Sequence, residues 1–131
     1  MNRRTAIQID LDSVVPAYRQ ITDALRVLLV RGTIAPGEKL PPVRRLAIQL
    51  GVHFNTVSEA YRQLAEEGWL DLRQGRGATV IERGLPLRSD PKKLCDLRTQ
   101  LRNLVAQMRS AGAPAKWIAA ELWRLLEDVR P

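Results

Sequence analysis

The sequence predicts an α+β fold, mostly α: a winged helix-turn-helix followed by a two-helix C-terminal dimerisation lobe. Three observations predict it. Two amphipathic helical patterns, one ending at Leu50 and one carrying Val57, Ala60, Tyr61 and Leu64, are separated by Gly51. Two short apolar runs, Trp69 to Arg73 and Ala78 to Glu82, flank the basic, glycine-rich Gln74-Gly75-Arg76-Gly77, the pattern of a hairpin with a cationic tip. Beyond them, Leu94, Leu97, Leu101, Leu104 and Met108 recur at steps of three and four residues, a heptad seam.

The totals bound what such a chain can be. Its 131 residues, 45% of them hydrophobic, fit one domain or two very small ones. A unit of roughly 60 residues is marginal alone, so a second lobe that packs or pairs adds stability. The predicted division is 1–83 for the winged unit and 84–131 for a linker plus helical hairpin. A formal net charge of +7 and a pI near 10.5 suit a polyanion, nucleic acid first and an anionic membrane surface second. The single cysteine, Cys95, forms no disulfide within the chain and is read as a half-buried packing residue in a reducing compartment. With one histidine far from it, no zinc spacing exists. No apolar run approaches the ~18 residues that span a bilayer, and no apolar segment follows the basic Met1-Asn2-Arg3-Arg4 start. A soluble, cytoplasmic protein without a membrane partner is expected.

The elements follow in order. Residues 7–12 alternate apolar and polar side chains, which predicts a short strand at the edge of the later ribbon. A helix begins near Pro16 and carries Tyr18, Ile21, Leu25, Leu28 and Leu29 on one face, with Gly32 as its stop. The proline- and glycine-rich residues 34–42 read as a connector. The next helix, Val43 to about Leu50, turns Val43, Leu46, Ala47 and Leu50 inward and Arg44, Arg45 and Gln49 outward. The following helix starts between His53 and Thr56 and runs to about Glu67. His53 is a poor N-cap by residue type, and Thr56 with Glu59 offers a capping box further in. After the hairpin and the linker from Arg83, Ser89 or Asp90 caps a helix with Pro91 in its first turn. Gly112 ends it, and Pro114 opens a last helix whose seam is Ile118, Leu122, Leu125 and Val129, broadened by Trp117, Trp123 and Leu126. Two helices cover only part of such an apolar surface, so the remainder must meet the other lobe or a second copy.

A helix-turn-helix lays its second helix in the major groove with the N-terminal residues at the base edges. Here the outward residues are His53, Phe54, Asn55, Thr56, Ser58, Glu59 and Arg62. Asn55 has the donor and acceptor to bond adenine N6 and N7, and Thr56 and Ser58 suit bases or phosphates. Phe54 suits a thymine methyl or a sugar face. Arg44 points from the preceding helix at the same groove mouth, and Arg76 between Gln74 and Gly75 and Gly77 suits the narrow minor groove. Taken singly, each of these side chains is ordinary solvated surface; the combination with the glycine turn and the basic tip is what carries the reading. Histidine without partner ligands is read as a capping or DNA-facing residue rather than a metal ligand.

The segment resembles the N-terminal DNA-binding domain of the GntR family of bacterial transcription regulators. The resemblance lies in Leu40-Pro41, Val43-Arg44, Leu46-Ala47, Leu50-Gly51-Val52, Asn55-Thr56-Val57, Ala60, Leu64, Glu67-Gly68 and Gly75-Arg76-Gly77, with Pro16 to Ile21 similar to the family's first helix. It covers about residues 10–82. It implies base or backbone contacts from Arg44, from positions 53–58 and from the wing. Many members carry arginine where this chain has Phe54, and often where it has Ser58, so those guanine contacts do not transfer. Most members append a large ligand-binding or aminotransferase-like domain; two helices alone resemble the short YtrA-type subfamily, which implies a dimerisation lobe with little room for an effector.

The expected protein is therefore a sequence-specific DNA-binding regulator, a repressor that binds an inverted-repeat operator on double-stranded DNA as a homodimer. Its contacts are expected from Arg44, His53, Phe54, Asn55, Thr56, Ser58, Arg62, Gln74, Gly75 and Arg76. Its pairing surface is expected from Leu94, Leu97, Leu101, Leu104, Met108, Ile118, Leu122 and Leu125. Two other classes stay open: a switch with a small-molecule effector at the C-terminal helices near Trp117 or Trp123, and an adaptor whose winged helix binds protein. No cofactor, metal or catalytic residue is expected, because no nucleophile–base pair or phosphate-cradling loop is present and Gln74 to Val80 is too short for a dinucleotide or P-loop signature.

Overall fold

The computed structural model describes residues 7–73, 77–82 and 90–129. The chain divides into two compact units, Met1–Arg83 and Gly84–Pro131. The first holds α1 (Ala17–Val30), α2 (Val43–Leu50), α3 (Phe54–Glu66), β1 (Leu70–Asp71) and β2 (Thr79–Val80); the second holds α4 (Pro91–Ser110) and α5 (Ala115–Asp128).

Helix α1 starts directly after Pro16, whose fixed φ precedes the first turn. It buries Ile21, Thr22, Leu25 and Leu29, spaced to form one stripe. The polar member is satisfied, since Thr22 Oγ1 donates to the Tyr18 carbonyl at 2.7 Å. Helix α2 buries Leu46 and Ala47, and α3 buries Val57, Ala60, Tyr61 and Leu64. These faces close one core with Ile34, Leu40, Leu70, Ala78 and Val80. Full burial of each aliphatic side chain contributes about 1.5–3 kcal/mol, which is the reason the stripes and not the propensities fix the helices.

The bend between α2 and α3 depends on Gly51. Its φ of 71° and ψ of 34° lie in the left-handed region, and its N–H and that of Val52 close the helix end by donating to the Ile48 and Ala47 carbonyls. A side chain at that φ is strained.

The hairpin pairs Leu70 with Val80 and Asp71 with Thr79 in antiparallel register, and Ile81 N donates to the Trp69 carbonyl at 3.0 Å. The regular strands are thus shorter than the runs 69–73 and 78–82. The far side of β2 is occupied by the connector: Gly37 N donates to Val80 O at 2.8 Å, Val80 N to Glu38 O at 2.8 Å, and Leu40 N to Ala78 O at 2.9 Å. Lys39 bridges Thr79.

The expected strand over 7–12 does not form. Its place beside β2 is taken by residues 37–40, and its own backbone groups go to a side chain. Asp10 N donates to Gln20 Oε1 at 2.7 Å, while Gln20 Nε2 donates to the Asp10 and Val15 carbonyls at 2.8 and 2.9 Å. The alternation survives as packing, because Ile7 and Ile9 lie against the core.

In the second unit, Asp90 caps α4 by accepting from Lys92 N and Lys93 N at 3.1 and 3.2 Å, with Pro91 in the first turn. No residue of α4 is buried. Leu94, Leu97, Leu101 and Leu104 are each close to half exposed, and in α5 so are Trp117, Leu125 and Leu126, with Trp123 more exposed still. Ile118 is buried in α5. Cys95, expected as a half-buried packing residue, is exposed, since α4 has no covering layer on that side. No helix among the described residues is long and apolar enough to cross a membrane.

Candidate nucleic-acid interface

The α2–Gly51–α3 unit sets out one exposed edge. Inward Val57, Ala60, Tyr61 and Leu64 leave Asn55, Ser58, Glu59 and Arg62 on the opposite face of α3, three and four residues apart. Asn55 and Arg62 are exposed; Thr56 and Ser58 are partly covered. Arg62 pairs with Glu59, which raises its pKa and keeps it cationic.

The start of α3 is settled by His53. Its backbone is extended, and its Nδ1 accepts the Asn55 N–H at 3.1 Å. Histidine, a poor cap by residue type, does here what Asn or Asp usually does, and the capping box at Thr56 and Glu59 is not used. The same imidazole stacks on Phe54, with ring centroids 4.4 Å apart and planes inclined by 30°. Arg44 reaches across from α2 and lays its guanidinium Cζ 4.6 Å from the Phe54 ring centroid. His53, Phe54 and Arg44 thus form one cluster at the mouth of the turn, where the sequence placed them as separate contacts.

The edge is held by two polar ties that periodicity did not reveal. Tyr61 donates its hydroxyl to the Pro41 carbonyl at 2.7 Å, anchoring α3 to the residue before α2. Burial pushes the Tyr61 phenol well above its usual pKa, so it stays a donor. At the C-terminal end of α3, Arg26 of α1 grips Glu67 with Nε at 2.8 Å and Nη2 at 2.7 Å, and Asp23 with Nη1 at 2.8 Å. The bond to Glu67 leads the causes that raise the Arg26 pKa.

A shallow cavity of about 270 Å³ lies between the start of α2, the middle of α3 and the strand ends, lined among others by Pro42, Ser58, Tyr61, Arg73 and Gly77. Arg73, exposed and paired with Asp71 at 2.9 Å, adds a cation beside the hairpin that the sequence reading left out; its position two residues before Gly75 was the available signal. Gln74, Gly75 and Arg76 lie outside the described residues. Among the described residues, no group of three His, Cys, Asp or Glu side chains is arranged to hold a metal.

Comparison with known proteins matches this geometry to a family. Residues 17–80 match the bacterial regulatory proteins of the gntR family. The chain is 33% identical over 124 residues to the HTH-type transcriptional repressor YtrA of Bacillus subtilis (strain 168), covering 95% of each. Among solved structures, it is similar to a transcriptional antiterminator from Listeria monocytogenes EGD-e, with a TM-score of 0.72, 27% identity, and 96% and 94% of the two chains covered. It is also similar to YtrA from Sulfolobus acidocaldarius, a GntR-family transcription factor, with a TM-score of 0.56, 34% identity, and 79% and 97% covered. A winged helix-turn-helix with a cationic outer edge and a near full-length match to such a regulator make this chain a member of the GntR family of DNA-binding transcription regulators.

Proposed function

We propose that the protein is a homodimeric repressor that binds an inverted-repeat operator. The observation that carries the proposal is the apolar face of α4 and α5, where Leu94, Leu97, Leu101, Leu104 and Leu125 stay close to half exposed within a single chain. A second copy that covers this face gives two winged units related by a two-fold axis, and a two-fold protein demands a two-fold operator. Each half-site is contacted by Arg44, by His53, Phe54, Asn55, Thr56 and Ser58, by Arg62 and by residues 74–76. Lysines and arginines neutralise phosphates and make affinity salt-dependent. Repression is supported by the likeness to the Bacillus subtilis repressor along most of its length.

Selection of bound fragments from random and genomic DNA tests this. The expected result is an enriched pseudo-palindrome whose half-sites lie about one helical turn, or a multiple of it, apart. Enrichment of a single asymmetric half-site sinks the dimeric reading, and no enrichment at all sinks sequence-specific binding.

A further inference from the structure

We infer that Phe54 is a positioning residue for base readout: its ring holds the Arg44 guanidinium in place, so the base preference set by Arg44 depends on an aromatic face at position 54. The inference rests on the DNA contact proposed above for Arg44. Three observations carry it. Arg44 Cζ lies 4.6 Å from the Phe54 centroid, within cation–π range. The ring is itself fixed, because Phe54 is the first residue of α3, His53 stacks on it at 4.4 Å, and His53 is anchored by the Asn55 N–H through Nδ1. The third is a contrast. Arg26, Arg62, Arg73 and Arg124 each face a carboxylate, whereas Arg44 faces a ring and, among the described residues, no acid.

That contrast decides what the guanidinium can do. A carboxylate binds the edge of the fork and occupies its N–H donors. An aromatic ring binds the flat face and leaves the donors at the edge free. The donors at that edge are the ones that bond guanine O6 and N7 as a pair. The ring also restricts a side chain that otherwise has many rotamers, so less freedom is lost when DNA binds. A hydrophobic residue at position 54 therefore serves readout through Arg44, in addition to any contact of its own with the half-site.

The test uses the full chain and the operator recovered by selection. Wild type, Arg44→Ala, Phe54→Leu and the double variant are titrated against that operator and against duplexes altered at single base pairs. Arg44→Ala is expected to level the preference at one base pair of each half-site. Phe54→Leu should weaken preference at the same base pair by about two- to five-fold, and it should add nothing once Arg44 is gone. Pentafluorophenylalanine at position 54 keeps the ring's shape and reverses its quadrupole; it should behave like Phe54→Leu, while Phe54→Tyr should retain the wild-type preference. These two proteins carry the test if Phe54→Leu fails to fold. The inference is overturned if the losses from Phe54 and Arg44 multiply, if they fall on different base pairs, or if the fluorinated protein binds as wild type. Arg44→Ala binding as wild type also overturns it, yet leaves the regulator reading standing. A wild-type protein that enriches no sequence removes both.

Discussion

Asn55 is exposed one residue into α3, with its backbone N–H already taken by His53 Nδ1. Its side-chain amide is thus presented from a fixed backbone, which is what paired bonding to adenine N6 and N7 requires. Asn55→Ala is expected to cost about 1–3 kcal/mol of operator binding and to leave binding to random duplex unchanged. Parallel titrations on the two duplexes read this, and equal losses on both would move Asn55 from base contact to backbone contact. At this scale the sequence was informative about which positions face outward, because Gly51 and the inward Val57, Ala60 and Leu64 fix the helical phase. It did not reveal how those positions lean on one another. The His53 cap depends on a side-chain torsion that brings Nδ1 to an N–H, and the Arg44–Phe54 contact joins two helices. Neither is a property of residue type or spacing.

Helix α3 is tied at its middle and at its C-terminal end by groups outside it: Tyr61 to Pro41 and Glu67 to Arg26. Tyr61→Phe keeps the buried ring and leaves the Pro41 carbonyl without its donor. A loss of about 1–2 kcal/mol in unfolding free energy is expected, seen as a lower denaturant midpoint with an unchanged slope. An unchanged midpoint would mean that water replaces the bond at no cost. The helices themselves were legible, since each has an apolar stripe and a proline or glycine boundary. The sheet was less so. Alternation over 7–12 describes half-buried backbone of any kind, and whether such a segment pairs with β2 depends on what else reaches that edge. Residues 37–40 reach it first, through a stretch whose prolines and glycines read as pure connector. Gln20, ten residues from Asp10, satisfies the displaced backbone instead, and no local pattern announces a bond of that range.

For the whole molecule, the chain divides into two compact units, Met1–Arg83 and Gly84–Pro131. The role of the second unit as a pairing lobe is a proposal with a direct measurement. Sedimentation of the full chain at micromolar concentration should give a dimer. Leu101→Glu places a charge in the middle of the α4 seam, and it should raise the dissociation constant at least roughly ten-fold by withdrawing buried apolar area. Operator affinity should fall with it, while the unfolding of the winged unit stays unaltered. A wild-type monomer under these conditions ends the proposal. The heptad steps were plain in the sequence; a pattern of leucines states that a surface needs covering and is silent on what covers it.

The pairing of Gly37, Glu38 and Leu40 with β2 changes what counts as the transferable cassette of this protein. Grafting only residues 43–81 onto another scaffold to move its operator preference would leave β2 without the partner that residues 37–40 provide and Tyr61 without Pro41. Because α1 supplies Ile21, Leu25 and Leu29 to the same core, the smallest self-consistent transplant runs from Ala17 to Ile81, and the stretch that looks most permissive to insertion, 37–42, is among the least free to be lengthened.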